Sequence, residues 1–179
     1  MRYSAPAIGL HWTIFALVCC GWTLGQYMSG LDFSPQKLRF ISWHKWIGVT
    51  VFMLVVMRLA WRLYRPVPPF PASMHALQRH AATGVHWLLY VLLIVIPLTG
   101  WLYSSAAGVP TVWLGLVQLP DLLEKDKSLA YALREVHVSL NWTLLVLVVG
   151  HAAVALKHHF IDRDEVLARM IPALKPRTR

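Results

Sequence analysis

The amino-acid sequence predicts an all-α integral membrane protein that folds as a four-helix bundle. Hydrophobic residues make up 57% of the 179 residues and charged residues only 14%, against roughly 25% charged in a typical soluble domain. Three stretches, 3–31, 80–120 and 136–156, contain no Asp, Glu, Lys or Arg, and each exceeds the roughly 20 residues that cross a bilayer. The length predicts a single membrane domain over residues 1–179.

Four transmembrane spans are predicted, over about 8–28, 42–64, 83–104 and 134–160. The first follows Arg2 and lacks a small-residue cleavage site, so we expect a retained span rather than a signal peptide. The second is uncharged only over 46–57 and requires Lys45 and Arg58 to snorkel. The third contains Pro97, which removes a backbone hydrogen bond and predicts a kink.

The connections between these spans differ in character. Residues 29–41 are predicted to form a short loop, and residues 65–79, which contain RPVPPFP, a stiff connector that helices cannot enter. Residues 105–133 form the longest loop. Its apolar first half, VPTVWLGLVQLP, is expected to lie on the membrane surface, and its second half, DLLEKDKSLAYAL, to form a short exposed helix. The tail after residue 160 is polar.

Basic residues are divided unevenly between the two sides of the predicted membrane. Four spans put both termini and the 65–79 connector on one side, which carries eleven Lys and Arg against three Asp and Glu. The other side carries six basic and five acidic residues. Because cytoplasmic segments are enriched in Lys and Arg, both termini are predicted to be cytoplasmic. This topology accounts for the net charge of +9, and no nucleic-acid partner is expected.

Several histidines fall inside the predicted spans, where ionisable residues are costly and mark function. His137 and His151 are fourteen residues apart, so they share one helix face. They are separated by about 21 Å along the axis in a hydrocarbon core about 30 Å thick, which places one imidazole toward each edge. His11, at the cytoplasmic start of the first span, is level with His151, and His44, at the outer start of the second, is level with His137.

Two imidazoles that face each other from separate helices suit the bis-histidine ligation of a haem iron, in a bundle core where cofactor sites are commonly built. The pattern predicts an inner haem at His11 and His151 and an outer haem at His44 and His137. A mononuclear zinc or copper site is the alternative, although structural zinc needs four clustered ligands. The absence of a C-x-x-C-H motif excludes covalent c-type attachment. Small residues are expected to let the ring approach the backbone, namely Gly48, Gly84, Gly100 and Gly150.

Two residues on other helices are predicted to serve the inner haem. Arg58 is fourteen residues after His44, so it lies on the same face at the cytoplasmic depth and is expected to neutralise haem propionates. His86, at the cytoplasmic start of the third span, is a candidate hydrogen-bond partner of a propionate or a quinone carbonyl. Snorkelling of the arginine and interfacial packing of the histidine are the alternatives.

A quinone pocket is predicted below the inner haem. His158 is seven residues after His151 and continues the same face toward the cytoplasm, where Arg79 is also expected. The nine Trp residues are expected to form aromatic belts at the interfaces and part of the core. The remaining histidines are expected at the surface, namely His75, His80 and His159.

The sequence resembles the bacterial cytochrome b561 family. The matching segments are IGLHW around His11, SWHKWIGV around His44, VVMRLAWRLYRPVPP after it, IPLTGW in the third span, EVHVSLNW around His137 and VGHAAVALKHHF around His151. They occur in order through all four spans. The resemblance implies a four-helix membrane bundle with two b-type haems, ligated at those four histidines, in the bacterial inner membrane.

The resemblance implies an oxidoreductase or an electron relay. Some family members oxidise superoxide and deliver electrons to ubiquinone, so the first hypothesis is a stand-alone di-haem protein that passes electrons from a periplasmic donor to quinone. Superoxide would be steered by basic residues of the outer side, namely Lys37, Arg39, Lys45, Lys125, Lys127 and Arg134.

Two other functions remain open from the sequence. Other family members are cytochrome b subunits that anchor a hydrogenase or dehydrogenase, which would need a soluble redox partner docked on the outer face. A non-redox proton or metal transporter that uses the same histidines would be colourless. The lipid bilayer is a partner in every case.

Overall fold

The computed structural model describes residues 2–65, 67–71, 74–171 and 173–174. The chain forms α1 (Ala5–Ser29), α2 (Pro35–Tyr64), α3 (Ala76–Ala106), a two-stranded hairpin of β1 (Val112–Trp113) and β2 (Val117–Gln118), and α4 (Lys127–Lys157). A π-helical turn (His158–Asp162) and a 3-10 turn (Leu167–Arg169) follow. The four helices are long and apolar enough to span a membrane, which confirms the predicted all-α membrane four-helix fold.

The helices α2, α3 and α4 begin earlier than the spans predicted from the sequence, because side-chain caps start them. Ser34 accepts a hydrogen bond from the Lys37 backbone N–H, and Pro35 occupies the first helical turn. His75 forms a capping box with Gln78. The expectation of loop structure was therefore wrong for residues 35–41 and 76–79, which are helical.

The longest loop also differs from its prediction. Its second half does not form a separate helix, because Asp126 accepts hydrogen bonds from the backbone N–H groups of Ser128 and Leu129 and so caps α4 itself. Its first half folds as the antiparallel hairpin, with Val112 opposite Gln118 and Trp113 opposite Val117. Pro66 of the proline-rich connector and Lys175, Arg177 and Arg179 of the basic tail lie outside the described residues.

The bundle packs in chain order, α1 on α2, α2 on α3 and α3 on α4. One buried cluster joins Ile14, Val51, Val55 and Tyr90, and a second joins Leu92, Ile96 and Leu144. Large apolar side chains cover the outside, for example Val146 with 69% of its surface exposed. Such a surface is stable where its surroundings are apolar, in agreement with a membrane protein.

The segment after α4 turns back beneath the end of the bundle at which α1 begins. Arg163 adopts a left-handed conformation with φ of 54°, and the indole N–H of Trp12 donates to the Met170 carbonyl at 2.8 Å. The Arg169 guanidinium donates to the Pro69 carbonyl of the connector. His159, expected at the surface, is only 8% exposed. That expectation was wrong because the chain returns and packs its 3-10 turn against the π-helical turn, which no local pattern indicates.

Candidate functional site

The outer site brings together the two histidines predicted to share that depth. The ring centres of His44 on α2 and His137 on α4 are 6.2 Å apart, with the ring planes at 84°. The neighbouring helices α1 and α3 supply their hydrogen-bond partners. His44 Nδ1 lies 3.0 Å from the Gly21 carbonyl oxygen, and His137 Nδ1 lies 3.0 Å from that of Ile96.

These contacts fix which ring nitrogen is free. A carbonyl oxygen can only accept, so each Nδ1 carries the proton and donates, which leaves each Nε2 with its lone pair. Thr99 supports the same assignment, because its hydroxyl donates to the Ile96 carbonyl at 2.8 Å and lies 3.1 Å from His137 Nδ1 as an acceptor. Metal-binding histidines commonly have this outer hydrogen bond, which orients the ring and raises its basicity.

Glycines on α1 and α3 make room for these rings. A Cβ at Gly25 would lie 3.2 Å from His44 Cε1, and one at Gly100 would lie 3.0 Å from His137 Cε1. Sequence reasoning named Gly100 but missed Gly25, although the Gly21–Gly25 spacing is typical of close helix approach in membranes. A Cβ at Gly48, Gly84 or Gly150, also named from the sequence, would meet nothing within 4 Å.

The inner site contains three histidines rather than two. The ring centres of His11 on α1 and His151 on α4 are 6.3 Å apart, with the planes at 66°. His86 on α3 brings its ring centre to 5.3 Å from that of His151. The structure therefore places His86 directly beside the inner pair.

The spacing of the two pairs can be compared with the size of a bis-imidazole metal unit. With about 2 Å from the metal to each nitrogen and each ring centre about 1 Å behind it, two ligand rings lie about 6 Å apart centre to centre. His44 and His137 at 6.2 Å, and His11 and His151 at 6.3 Å, fit this value. His86 and His151 at 5.3 Å are too close to be partners across one metal.

The donor set of each pair suits haem iron better than zinc. Both pairs offer neutral imidazoles, which bind iron in haem proteins. Within the part of the chain that the structure describes, the only group of three or more closely spaced metal-ligand side chains is His158, Asp162 and Asp164. The imidazole pairs therefore lack the four clustered ligands of a structural zinc site.

Arg58 lies at the inner site, as the sequence predicts. Its guanidinium donates to the Ala7 carbonyl of α1 and is near enough to His11, His86 and His151 to interact with each electrostatically. Arg62, one turn on, lies 5.8 Å from the ring centre of Tyr90. The inner site thus combines three imidazoles with a partly buried positive charge.

The contacts of His158 and Arg79 do not include the imidazoles of the inner site. His158 is buried, and its Nδ1 lies 2.6 Å from an Asp164 carboxylate oxygen and 3.2 Å from one of Asp162. Arg79 is exposed in the first turn of α3. Among the contacts of the described residues, none joins Arg79 to His158. A quinone pocket at these two residues stays a prediction.

Between the two sites, α1 and α4 are bridged by aromatic and aliphatic side chains. The rings of Trp22 and Trp142 meet edge to face with centres 5.4 Å apart. Val18 of α1 packs against the cluster of Leu92, Ile96 and Leu144. The indole N–H of Trp22 is buried and has no acceptor among the described residues.

An all-helical membrane bundle with one pair of facing imidazoles toward each side has the architecture of a membrane-bound b-type cytochrome. The chain belongs to the family described as prokaryotic cytochrome b561, whose profile matches residues 2–173. Membership establishes membrane electron transfer and implies haem b as the cofactor.

Several proteins are similar to this chain over nearly its full length. Cytochrome b561 homolog 2 of Escherichia coli (strain K12) is 36% identical over 172 residues, which cover 95% of this chain and 91% of the relative. The probable superoxide oxidase CybB of Yersinia pestis is 30% identical over 176 residues, with 96% of each chain covered. Cytochrome b561 homolog 1 of Escherichia coli (strain K12) is 26% identical over 178 residues, with 97% and 99% covered.

Proposed function

We propose that this protein is a di-haem b oxidoreductase that takes electrons from superoxide on the outer side of the membrane and delivers them to ubiquinone. The observation that carries the proposal is the pair of imidazole sites at opposite depths of one bundle, both of which use α4. His44 and His137 would hold the outer haem, and His11 and His151 the inner haem. When bound there, each haem supplies a one-electron carrier.

The residues around each site support these roles. The Gly21 and Ile96 carbonyls orient the outer imidazoles so that each Nε2 is available. At the inner site, Arg58 supplies a positive charge for a propionate, and His86 supplies a further hydrogen-bonding group for a propionate or a quinone carbonyl. Apolar side chains between the sites, such as Val18 and Leu144, exclude water.

The excess of basic residues on the side of the termini supports a cytoplasmic location for both ends. The outer imidazole pair would then face the periplasm of a bacterium and the inner pair the cytoplasm. In the overall reaction two superoxide anions each lose one electron and leave as O₂. The two electrons and two cytoplasmic protons convert ubiquinone to ubiquinol.

A positive charge beside the outer site supports an anionic donor. The ammonium of Lys45, next to His44, donates to the Val109 and Pro110 carbonyls at 3.0 and 3.2 Å. Carbonyls do not neutralise the charge, and Asp121 interacts with it electrostatically without an ion pair among the described contacts. Arg134 on the same side, by contrast, is paired with Glu135 at 2.6 Å. The name of the Yersinia pestis relative, probable superoxide oxidase, points to the same donor.

Stopped-flow spectroscopy tests the proposal directly. Purified protein in lipid vesicles with ubiquinone should show haem reduction on mixing with superoxide, followed by reoxidation as quinol forms. Added superoxide dismutase should abolish the signal. Haem that remains oxidised above the background rate would refute superoxide as the donor while leaving the haem assignment intact, and would favour an anchor subunit with a separate redox partner.

Replacing Lys45 by glutamine should slow reduction by superoxide by about two- to fivefold at low salt, because one steering charge is lost. Glutamine retains a donor for the two carbonyls, so the fold is preserved. The difference from the unaltered protein should shrink as salt screens the charge. Arg2→Gln is the matched control, since it removes one positive charge at an exposed position on the opposite side of the bundle. Equal rates for both variants at every salt concentration would contradict the role of Lys45.

Replacing Arg58 by glutamine should lower the midpoint potential of the inner haem. Loss of a nearby positive charge favours the oxidised, more positive iron, and a tenfold change in that equilibrium corresponds to about 60 mV. A potentiometric titration of the visible bands resolves the two haems. Arg65→Gln serves as the control, because Arg65 stacks on exposed Tyr64 beyond the end of α2. An inner potential that matches that of the control would exclude the proposed charge pairing.

A further inference from the structure

The segment 109–120 runs down the side of α2 instead of across its outer end. Lys45 Nζ donates to the Val109 carbonyl, and the Trp46 indole N–H donates to the Val112 carbonyl at 2.6 Å. The Trp113 indole N–H then donates to the Thr50 hydroxyl at 3.2 Å. Because positions 45, 46 and 50 lead away from the outer end of α2, the chain descends toward the middle of the membrane as it enters the hairpin.

The depth of this segment follows from the helix geometry. The two imidazole levels are about 21 Å apart in a hydrocarbon core about 30 Å thick, so His44 lies about 4 to 5 Å inside the outer edge. Thr50 is six residues further along α2, or about 9 Å deeper. The Trp113 ring that binds Thr50 therefore lies within the hydrocarbon layer.

The return from the hairpin lies near the level of the outer imidazoles. The Trp101 indole N–H donates to the Pro120 carbonyl at 3.1 Å. Trp101 follows Gly100, the residue on α3 that packs against the His137 ring. Both arms of the segment thus lie near the level of the outer imidazoles, several ångströms inside the membrane edge.

The surface of the segment is suited to lipid rather than to water. Residues 109–120 include no Asp, Glu, Lys, Arg or His, and Leu116 is 84% exposed. Leu114 takes a left-handed conformation, with φ of 54°. Asn or Gly would adopt that conformation at lower cost, so a leucine at this exposed tip indicates an apolar environment.

The backbone of the segment also meets the demands of a lipid environment, where polar groups need internal partners. Within the turn, the Leu116 N–H donates to the Trp113 carbonyl at 3.0 Å, and the Leu119 N–H donates to the Thr111 carbonyl at 2.8 Å. The Trp46 indole satisfies the Val112 carbonyl. The sequence alone predicted a segment resting on the membrane surface.

We propose that residues 109–120 form a re-entrant hairpin inserted into the outer leaflet, where the acyl chains of lipids contact Leu114, Leu116 and Val117. The hairpin is then a membrane-embedded wall beside α2 and not a lid over the aqueous face of the outer site. This inference depends on the depth of the helices and not on the haem or superoxide assignments.

Site-directed spin labelling measures the depth. In full-length protein with Cys19 and Cys20 replaced by alanine, a nitroxide is placed at Leu116→Cys, and accessibility to oxygen and to a neutral nickel complex is measured in phosphatidylcholine vesicles. Val146→Cys, on the exposed face of α4, is the buried-in-lipid reference, and Glu124→Cys, in the exposed outer loop, is the aqueous reference. Circular dichroism confirms that each labelled protein is folded.

The label at 116 should show high oxygen and low nickel accessibility, closer to the values at 146 than to those at 124, although 146 lies nearer the bilayer centre. A label at 116 that matches the one at 124, or that reports only head-group depth, overturns the proposal. If a label at 116 disturbs the fold, Val117→Cys repeats the measurement from a neighbouring exposed position. Values for that label closer to those at 146 support insertion, and agreement with the reference at 124 or head-group depth excludes it.

Discussion

His137→Ala should leave one haem b per chain instead of the two that the proposed function requires. His137 supplies one of the two imidazoles that meet at the outer site, and its ring centre lies 6.2 Å from that of His44. Removal of one axial ligand leaves an iron held by a single side chain, which does not retain haem in a six-coordinate, low-spin form. Total haem from the pyridine haemochrome, together with low-temperature electron paramagnetic resonance, reports both the number and the ligation of the haems.

Replacing a histidine of the inner pair tests whether the two sites bind haem independently. His151→Ala should remove the inner haem signal and leave the outer one unchanged. His86 is 5.3 Å from His151, so the variant is also made with His86→Ala to remove an imidazole that could substitute for the lost ligand. His86→Ala alone should keep both haems, because that spacing is too short for a partner across the iron.

His80→Ala, at an exposed position of α3, is the matched control and should bind two haems. Two intact six-coordinate haems in the His137→Ala protein would disprove the assignment of the outer ligands. A colourless intact protein would refute the haem proposal. It would favour the alternative of a non-redox proton or metal transporter that uses the same histidines.

The depth of the histidines could be predicted from the sequence because it depends only on helix geometry. Fourteen residues restore the same helix face at a fixed rise, so His137 and His151 had to lie toward opposite edges of the membrane on one side of α4. The partners His11 and His44 then followed from the alternation of chain direction. The structure brings these predicted pairs to 6.3 and 6.2 Å.

The features that could not be predicted are those fixed by contacts between distant parts of the chain. The Gly21 and Ile96 carbonyls that hold the outer imidazoles come from helices without a ligand at that level, and a backbone acceptor has no sequence signature. Strands of two residues, such as β1, are too short to show an alternating pattern. Ser34 and Pro35 form a sequence pattern typical of a helix start, which predicts the beginning of α2 at Pro35. The charged residues nearby favoured the later predicted start at about residue 42.

The different contributions of the four helices explain why a glycine matters at the outer site. α4 contributes an imidazole to each pair, and α1 and α2 contribute one each. α3 supports His137 through Ile96, Thr99 and Gly100. Hydrogen bonds to Ile96 and Thr99 therefore restrain the His137 ring on the side of α3, and His44 faces it on the other side. A ring held in this way has little freedom to move when a neighbouring atom is added.

Gly100→Ala should disrupt the outer haem although it adds only one methyl group. The new Cβ would lie 3.0 Å from His137 Cε1 and 3.3 Å from Nδ1, closer than such atoms normally approach, so either the imidazole or α3 must shift. Alanine in place of glycine within a helix normally stabilises by about 0.5 to 1 kcal/mol, and a loss would therefore come from the contact. The expected result is an outer haem signal that is shifted or partly lost while the inner signal stays unchanged, and Gly100→Val should lose the outer haem.

Gly9→Ala, where a Cβ meets nothing within 4 Å, should retain both haems. Unaltered outer haem spectra in the valine variant would show that Gly100 does not position His137.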